Sequence, residues 1–354
     1  MTKPIRLLIA ASGTGGHLFP ALALAQQLPD YQIDWLGVPD RLETTLVPSE
    51  YPLQTVAVEG FQGRPSLKTI KTFWKLLQAV FTVKRLIKTN HIDGICTTGG
   101  YIAAPAIIAA KWSGIPVILH EANVIPGKVT TWLGRWCRRV ALGFQETAHY
   151  LPHCQTVWVS TPVRSQFYTP QPLALDIPGD RQLVVIVGGS QGAVTVNQMV
   201  RSCVPAWVKA GAFIVHLTGK NDPDSEQFCH PHYLALPFFE NMAGLLQRAD
   251  LAISRAGAGT LTELAITQTP SILIPYPFAA EDHQMYNARV FATAGAALVL
   301  PQKSLSPHIL EKAGLELLQS AEQRHQMAEA ASHLAKGDSA EQLAAIIREI
   351  VGKS

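Results

Sequence analysis

The sequence predicts an α/β fold built from two parallel-sheet domains, each covered by helices on both faces. Three observations carry that reading. The chain has 354 residues, which suits two domains of roughly 150 residues each. Short β-branched runs alternate with longer helical patterns from end to end, the signature of parallel sheets buried on both sides. The two halves also open alike: PIRLLIAASGTGG and RQLVVIVGGSQGA each read as an apolar strand, a glycine-rich turn and a helix. Prolines 152, 162, 170, 172 and 178 punctuate the stretch between them most densely, which places the boundary near Val163. The expected domains are residues 1–163 and 164–337.

In chain order, strands are expected at residues 5–10, 33–37, 92–97 and 116–120 in the first half. In the second they fall at 183–187, 213–217, 251–254 and 271–274, each a short β-branched run. Helical patterns separate most of them, for instance at 18–28 and 259–266. The stretch from Ser339, containing EQLAAIIREIV, is an amphipathic helix.

Composition excludes several classes. Hydrophobic residues make up 47% and charged residues 16%, too apolar for a disordered chain. Mean hydropathy is +0.14, yet no window of ~18 uncharged apolar residues is present to span a membrane. The opening MTKPIRLLIAASGTGGH runs straight into a glycine loop and reads as a first strand rather than a secretory signal. Residues 1–163 carry 15 Lys and Arg against 9 Asp and Glu, whereas residues 164–354 carry 14 against 17. The basic half therefore suits an anionic surface or substrate. Five dispersed cysteines without a CxxC pair argue for a reducing compartment, with no disulfide framework and no zinc site.

Ligands of open parallel sheets bind outside the carboxyl ends of the strands, and the unusual residues gather there. Residues 13–17, 99–101 and 120–123 follow strands of the first half; 188–193, 254–263 and 275–284 follow strands of the second. Two sheets facing each other would bring these loops to one cleft, as a two-substrate enzyme requires. Gly13-Thr-Gly-Gly-His17 opens a helix, so it is either an anion site or a plain tight turn. A dinucleotide site wants an acid about 20 residues on; Asp34 is available but lies inside a strand pattern. Gly188-Gly-Ser-Gln-Gly192 also fits the G-x-S-x-G nucleophile elbow, with Asp250 and His283 following in hydrolase order. Against this, a hydrolase would leave the first-half loops without a task. His17 reads as a helix cap or a general base. His120-Glu-Ala-Asn-Val matches a zincin motif for two residues only, since Val124 replaces the second histidine. Glu263 is suited to a ribose diol, or to the N-terminal dipole of its helix.

The segment 64–91 holds seven Lys and Arg and no acid. Its helical stripe of Ile70, Phe73, Trp74, Leu77, Val80 and Phe81 is expected to face the core. Leu76, Val83 and Ile87 widen the apolar arc toward ~200°, beyond what a core-facing helix needs. Some of that surface should stay exposed among lysines, as on an interfacial helix.

The ordered set GTGGHLFPALALA, GGYIAAP, HEANVIPGK, TPVR, GGSQGAVTVN, SRAGAGTLTEL and PYPFAAEDHQMYNAR resembles the MurG family of bacterial glycosyltransferases, within glycosyltransferase family 28. The resemblance runs over essentially the whole chain. It implies a GT-B fold, two Rossmann-like domains facing a deep cleft, with the C-terminal helix 338–354 returning to the first. It implies transfer of N-acetylglucosamine from UDP-N-acetylglucosamine to a lipid-linked muramyl-pentapeptide, with inversion and without a protein-bound metal or other cofactor. On the donor side it implies Ser190 and Gln191 at phosphate, the Phe239 backbone at uracil and Glu263 at ribose. Gln284 would meet the sugar hydroxyls with Asn287 nearby, and Arg164 the diphosphate. Gly259, Thr260, Leu261 and Thr262 would turn a helix N-terminus toward the same phosphates. Thr14, Gly15, Gly16, His17, Tyr101, Glu121 and Asn123 would lie beside the acceptor, with Thr14, Gly15, Gly16 and Asn123 also reaching the donor. His17 is the first choice of base and Glu121 the second. The implied setting is peripheral, on an anionic membrane surface at the cytoplasmic face of the bacterial inner membrane, with no nucleic-acid partner. Alternatives are another GT-B enzyme, a glycolipid glycosyltransferase or sugar-nucleotide epimerase, and more distantly a Ser190 hydrolase. Two departures stand out: Ala122 makes HEAN of the family's HEQN, and Ser160-Thr161 replace the Gly-Asn of GNPVR.

Overall fold

The computed structural model describes residues 4–60, 67–189, 192–225 and 227–352, residues 67–70 by backbone alone. It divides into two compact units, Met1–Arg164 with Asp338–Ser354, and Ser165–Gly337.

The first unit alternates strand and helix: β1 Arg6–Ala10, α1 Gly15–Gln26, β2 Gln32–Gly37, α2 Glu43–Leu46, β3 Leu53–Thr55 and α3 Leu67–Thr89. There follow β4 Gly94–Thr97, α4 Ala103–Ser113, β5 Val117–Glu121, α5 Lys128–Leu133, β6 Arg139–Leu142 and β7 Thr156–Trp158. Among the described residues seven strands pair in the order β3-β2-β1-β4-β5-β6-β7, all parallel. Alternate residues of each strand feed opposite cores. Leu8, Ala10 and Leu119 pack under α3 and α4 against Val80, Val83, Ile107 and Ala110. Leu7 and Ile9 pack on the other face against Leu18 and Leu24 of α1 and the fully buried Trp35.

Helix α3 turns a face to the core that shares only Val80 with the expected stripe. Ala79, Val80, Val83 and Ile87 are buried, with Leu76 and Leu86 packed against them, while Phe73, Trp74 and Phe81 are 50, 61 and 59% exposed. Ile70 lies outside the residues whose side chains are described. The core-facing set is the narrower, smaller one, because α3 packs closely on the sheet and on α4. A close-packed seam fits Ala and Val where aromatic rings would overpack.

The second unit repeats the plan: β8 Gln182–Val187, α6 Val194–Lys209, β9 Ala212–Leu217, β10 Tyr233–Leu236, α7 Met242–Arg248 and β11 Leu251–Ser254. It continues with α8 Ala258–Ile266, β12 Ser271–Leu273, α9 His283–Thr293, β13 Ala297–Val299, α10 Pro307–Gln319 and α11 Ala321–Ser332. The described strands pair in the order β10-β9-β8-β11-β12-β13, again parallel. Both sheets thus run outward from their first strand in both directions, as in doubly wound nucleotide-binding folds. The ligand crevice of such a sheet opens at the carboxyl end of the first strand, where the winding reverses.

The last helix, α12 Ser339–Val351, packs on the first unit. Leu343, Ala344, Ile347 and Val351 are buried against the α1 face of its sheet. Burying each large aliphatic chain contributes about 1.5–3 kcal/mol. Gly94 at the start of β4 permits the contact, since a Cβ there would lie 2.6 Å from Val351. Arg348 donates to Gln27 O at 2.8 Å and to Asp30 at 2.9 Å, which holds the Asp30 carboxyl below its ordinary range.

Candidate active site

In the first unit, the loop after β1 meets the loops after β4 and β5. Thr14 is the N-cap of α1, so Gly15, Gly16 and His17 form its first turn. His17 Nδ1 lies 2.7 Å from Thr98 O. A carbonyl only accepts, so this bond assigns the proton to Nδ1 and leaves the lone pair on Nε2. Gly99 and Gly100, at φ +88° and +73°, wrap the ring; a Cβ on Gly100 would stand 3.5 Å from Nε2. Tyr101 is 54% exposed, its ring lying where a Cβ on Gly60 would be.

Glu121 ends β5 and is buried. Its carboxylate accepts from Asn123 N at 3.1 Å, Asn123 Nδ2 at 3.4 Å, Gly127 N at 3.0 Å and Thr130 Oγ1 at 2.7 Å. It thereby shapes the turn that opens α5. Neighbouring His120 is fully buried, and its Nε2–H donates to Ser160 O at 3.0 Å. Burial pushes that imidazole down to about 4. The two departures from the family pattern share one spot: a Cβ on Gly143 would lie 2.6 Å from both Ala122 O and Thr161 Oγ1. Ser160 holds φ +68°, a conformation that favours the family's glycine.

Arg164 belongs to the first unit, not to the second as the expected boundary had it. Its guanidinium stacks 4.6 Å over the Phe19 ring of α1. The same ring would meet a Cβ on Gly15 at 2.8 Å, which couples Arg164 to the Thr14–His17 turn.

In the second unit, the loop after β8 needs its glycines. Gly189 has φ +87°, and Gly192, at φ +79°, approaches Thr218 O more closely than any Cβ would allow. Ser190 and Gln191 lie outside the described residues. Gly257 is the N-cap of α8, and the first-turn N–H groups, including those of Gly259 and Thr260, have no acceptor within the helix. The Leu261 N–H already donates to Gly257 O, and the Leu261 and Thr262 side chains are buried. Glu263 is the sixth residue of α8 and half-buried, so the helix dipole does not account for it.

Gln284 Oε1 accepts from Ala256 N at 3.2 Å and Tyr276 N at 2.9 Å, tying the loop after β11 to the loop after β12. Asn287 is buried and donates to Ala256 O at 3.2 Å. Its amide thus supports that loop from below. Arg255, which the sequence did not single out, donates to Ile274 O and Pro275 O at 3.0 and 3.3 Å and braces the same turn. Phe239 follows β10 and is half-buried, beside Phe238, which is 65% exposed.

Two sequence alternatives lose their geometry. Asp250 accepts from Leu183 N at 2.8 Å, at the start of β8, whereas Gly188–Gly192 follows its other end. The six residues of β8 separate them by about 3.3 Å each, so no Asp250 dyad serves a nucleophile elbow. Asp34 is 2% exposed, paired with Arg6 at 3.1 Å inside the sheet, and is not turned to a ribose. Among the described residues no group of three or more His, Cys, Asp or Glu stands at metal-holding distance. No described helix is long and apolar enough to cross a membrane.

Two parallel-sheet units of the same winding, with glycine-rich loops at their reversal points, are the parts of the GT-B architecture. The model of the glycosyltransferase family 28 N-terminal domain matches residues 7–142 and that of its C-terminal domain residues 183–343; the chain belongs to this family. It is 75% identical, over the whole of both chains, to a Synechocystis sp. protein called UDP-N-acetylglucosamine--N-acetylmuramyl-(pentapeptide) pyrophosphoryl-undecaprenol N-acetylglucosamine transferase. A Rippkaea orientalis protein of the same name is 67% identical, over 98% of this chain and 99% of that one. The crystal structure of Acinetobacter baumannii MurG superposes with a TM-score of 0.79 at 29% identity, covering 98% of this chain and all of that one. A putative UDP-N-acetylglucosamine 2-epimerase from Listeria monocytogenes, at 14% identity and TM-score 0.72 over 99% of this chain and 98% of that one, shares the fold alone.

Proposed function

We propose that this protein moves N-acetylglucosamine from UDP-N-acetylglucosamine to the C4 hydroxyl of lipid-linked N-acetylmuramyl-pentapeptide, forming the disaccharide precursor of peptidoglycan. Full-length relatives at 75 and 67% identity that bear this activity in their names support it. The reaction is a single inverting displacement. The acceptor oxygen bonds to the anomeric carbon as the bond from that carbon to the diphosphate oxygen breaks. The hydroxyl proton passes to the base, and UDP leaves with the electron pair.

The observation that carries the mechanistic reading is the His17–Thr98 hydrogen bond, which leaves Nε2 as the basic nitrogen. Glu121 is the weaker candidate, because four donors already occupy its carboxylate and its side chain is committed to shaping the turn before α5. On the donor side, Glu263 accepts from the ribose diol. The first-turn N–H groups of α8 and the glycine-rich loop after β8 meet the charge developing on the leaving diphosphate. Gln284 keeps its Nε2 for the sugar hydroxyls, and no protein-bound metal or cofactor enters the scheme.

The first unit docks on the membrane that carries the acceptor, at its cytoplasmic face. The outward face of α3 supports this reading: Phe73, Trp74 and Phe81 are exposed, with Trp112 of α4 beside them, ring centroids 6.0 Å from Phe81. Lys71, Lys84, Arg85 and Lys88 are exposed on the same helix. Aromatic rings suit the headgroup region, and each basic residue near anionic lipid contributes about 1 kcal/mol.

Incubating the protein with labelled UDP-N-acetylglucosamine and a short-chain lipid-linked muramyl-pentapeptide tests the activity. Label should appear in a β-1,4 disaccharide on the lipid. Label recovered only as free or epimerised sugar would refute the assignment.

A further inference from the structure

We infer that Glu43 is a positioning residue for the His17 loop. This rests on the reading of His17 as the base. Glu43 opens α2, is completely buried, and has no ion-pair partner among the described residues. A carboxylate taken out of water without a cation is costly unless hydrogen bonds satisfy it. Its donors all come from the carboxyl edge of the sheet. Ser12 Oγ and Val38 N, the latter at 2.7 Å, donate to Oε1, and Gly13 N donates to Oε2 at 3.2 Å. Ser12 and Gly13 follow β1, and Val38 follows β2. One side chain therefore pins the turn that begins the His17 loop to the end of the neighbouring strand.

The surrounding sequence accommodates it. Gly37 has no side chain where a Cβ would lie 2.7 Å from Glu43 Cγ, and Gly13 takes φ +103°, which an L side chain rarely adopts. With its N–H turned to Glu43, Gly13 delivers the chain to Thr14 as the N-cap of α1, so His17 enters the first turn facing Thr98 O. A neutral or apolar side chain would fill the same volume at lower desolvation cost. What it would lack is a second acceptor oxygen for Gly13. The structure thus gives Glu43 a role in the geometry of the reaction rather than in stability alone.

Glu43→Gln tests this. The amide oxygen keeps the shorter pair of contacts, to Ser12 and Val38, and the NH2 then opposes the Gly13 N–H. The expected result is a kcat lower by about tenfold to a hundredfold, with KM for UDP-N-acetylglucosamine within about twofold of wild type. Hydrogen exchange at the Gly13 amide should quicken by about tenfold or more. Ser12→Ala is the control: it removes a neighbouring bond, leaves Gly13 latched, and should keep kcat within about twofold at a comparable loss of Tm. An unchanged kcat and unchanged Gly13 exchange in Glu43→Gln would overturn the inference. So would an equal fall of kcat in Ser12→Ala. The exchange measurement needs no turnover, so it judges the latch even if His17 proves not to be the base.

Discussion

The imidazole of His17 and the carbonyl of Thr98, 81 residues apart in sequence, meet at 2.7 Å. That one contact fixes the tautomer and the ring orientation together. It makes Nε2 the acceptor nitrogen and places Gly100 beside it. Thr14 and not His17 is the N-cap of α1, so the histidine is no helix cap but links the loops after β1 and β4.

Donor recognition is tested at Glu263. Substituting alanine removes a charged hydrogen bond to ribose and should weaken UDP binding by about 1.5–3 kcal/mol, read by titration calorimetry. Affinity equal to wild type would remove Glu263 from the donor site.

Membrane docking is tested by flotation with phosphatidylglycerol vesicles at low and high salt. Wild type should float at low salt and release as added salt screens the lysines. A Lys71/Lys84/Lys88→Glu variant should lose binding, and Trp74→Ser should weaken it at both salt concentrations. Equal binding to neutral and anionic vesicles would show that another surface makes the contact.

Acid stability follows from two buried histidines, one in each unit. Burial pushes His120 down to about 4 and His216 to about 3. Tyr233 OH donates to His216 Nδ1 at 2.9 Å, and His216 Nε2–H donates to Asn197 Oδ1 at 3.1 Å. Both rings stay neutral when folded, whereas unfolded histidine titrates near 6.5. Stability is therefore full above pH 6.5 and is lost as pH falls toward the folded values, because the unfolded chain takes up the protons. Each histidine should cost about 2 kcal/mol by about pH 5, seen in urea midpoints. His216→Gln keeps the same donor and acceptor polarity and should flatten the second unit's acid slope by about one proton; an unaltered slope would show that His216 is not its source.

Sequence alone reached the strands that carry the loops, because RLLIA and QLVVIV are buried on both faces and leave no other reading. It passed over β3, β6, β7, β10 and β13, strands of three or four residues that give a two-residue period little length to register. On α3 it identified apolar residues at helical spacing and placed Val80 in the core, but it put Phe73, Trp74 and Phe81 there too, which are exposed. Periodicity gives the spacing of a face, whereas the space between helix and sheet decides which face fits, and Val83 fits where Phe81 does not. The turns of the candidate site were legible wherever glycines mark them, as at Gly13, Gly189 and Gly192, which all hold positive φ. Glu43 was not, because its meaning lies in contacts with Ser12 and Gly13, about thirty residues earlier. Gln284 was expected at the sugar hydroxyls; that its Oε1 is bonded to Ala256 and Tyr276 is a tertiary fact that no motif carries.

The measurement that tests the account most directly is the turnover of His17→Ala, made beside its affinity for UDP-N-acetylglucosamine. A general base contributes about a hundredfold to ten-thousandfold in rate. The variant should lose that much in kcat while donor affinity stays within about twofold, since the base acts on the acceptor hydroxyl. A kcat within about fivefold of wild type, well short of that range, would contradict the assignment and return the proton to Glu121.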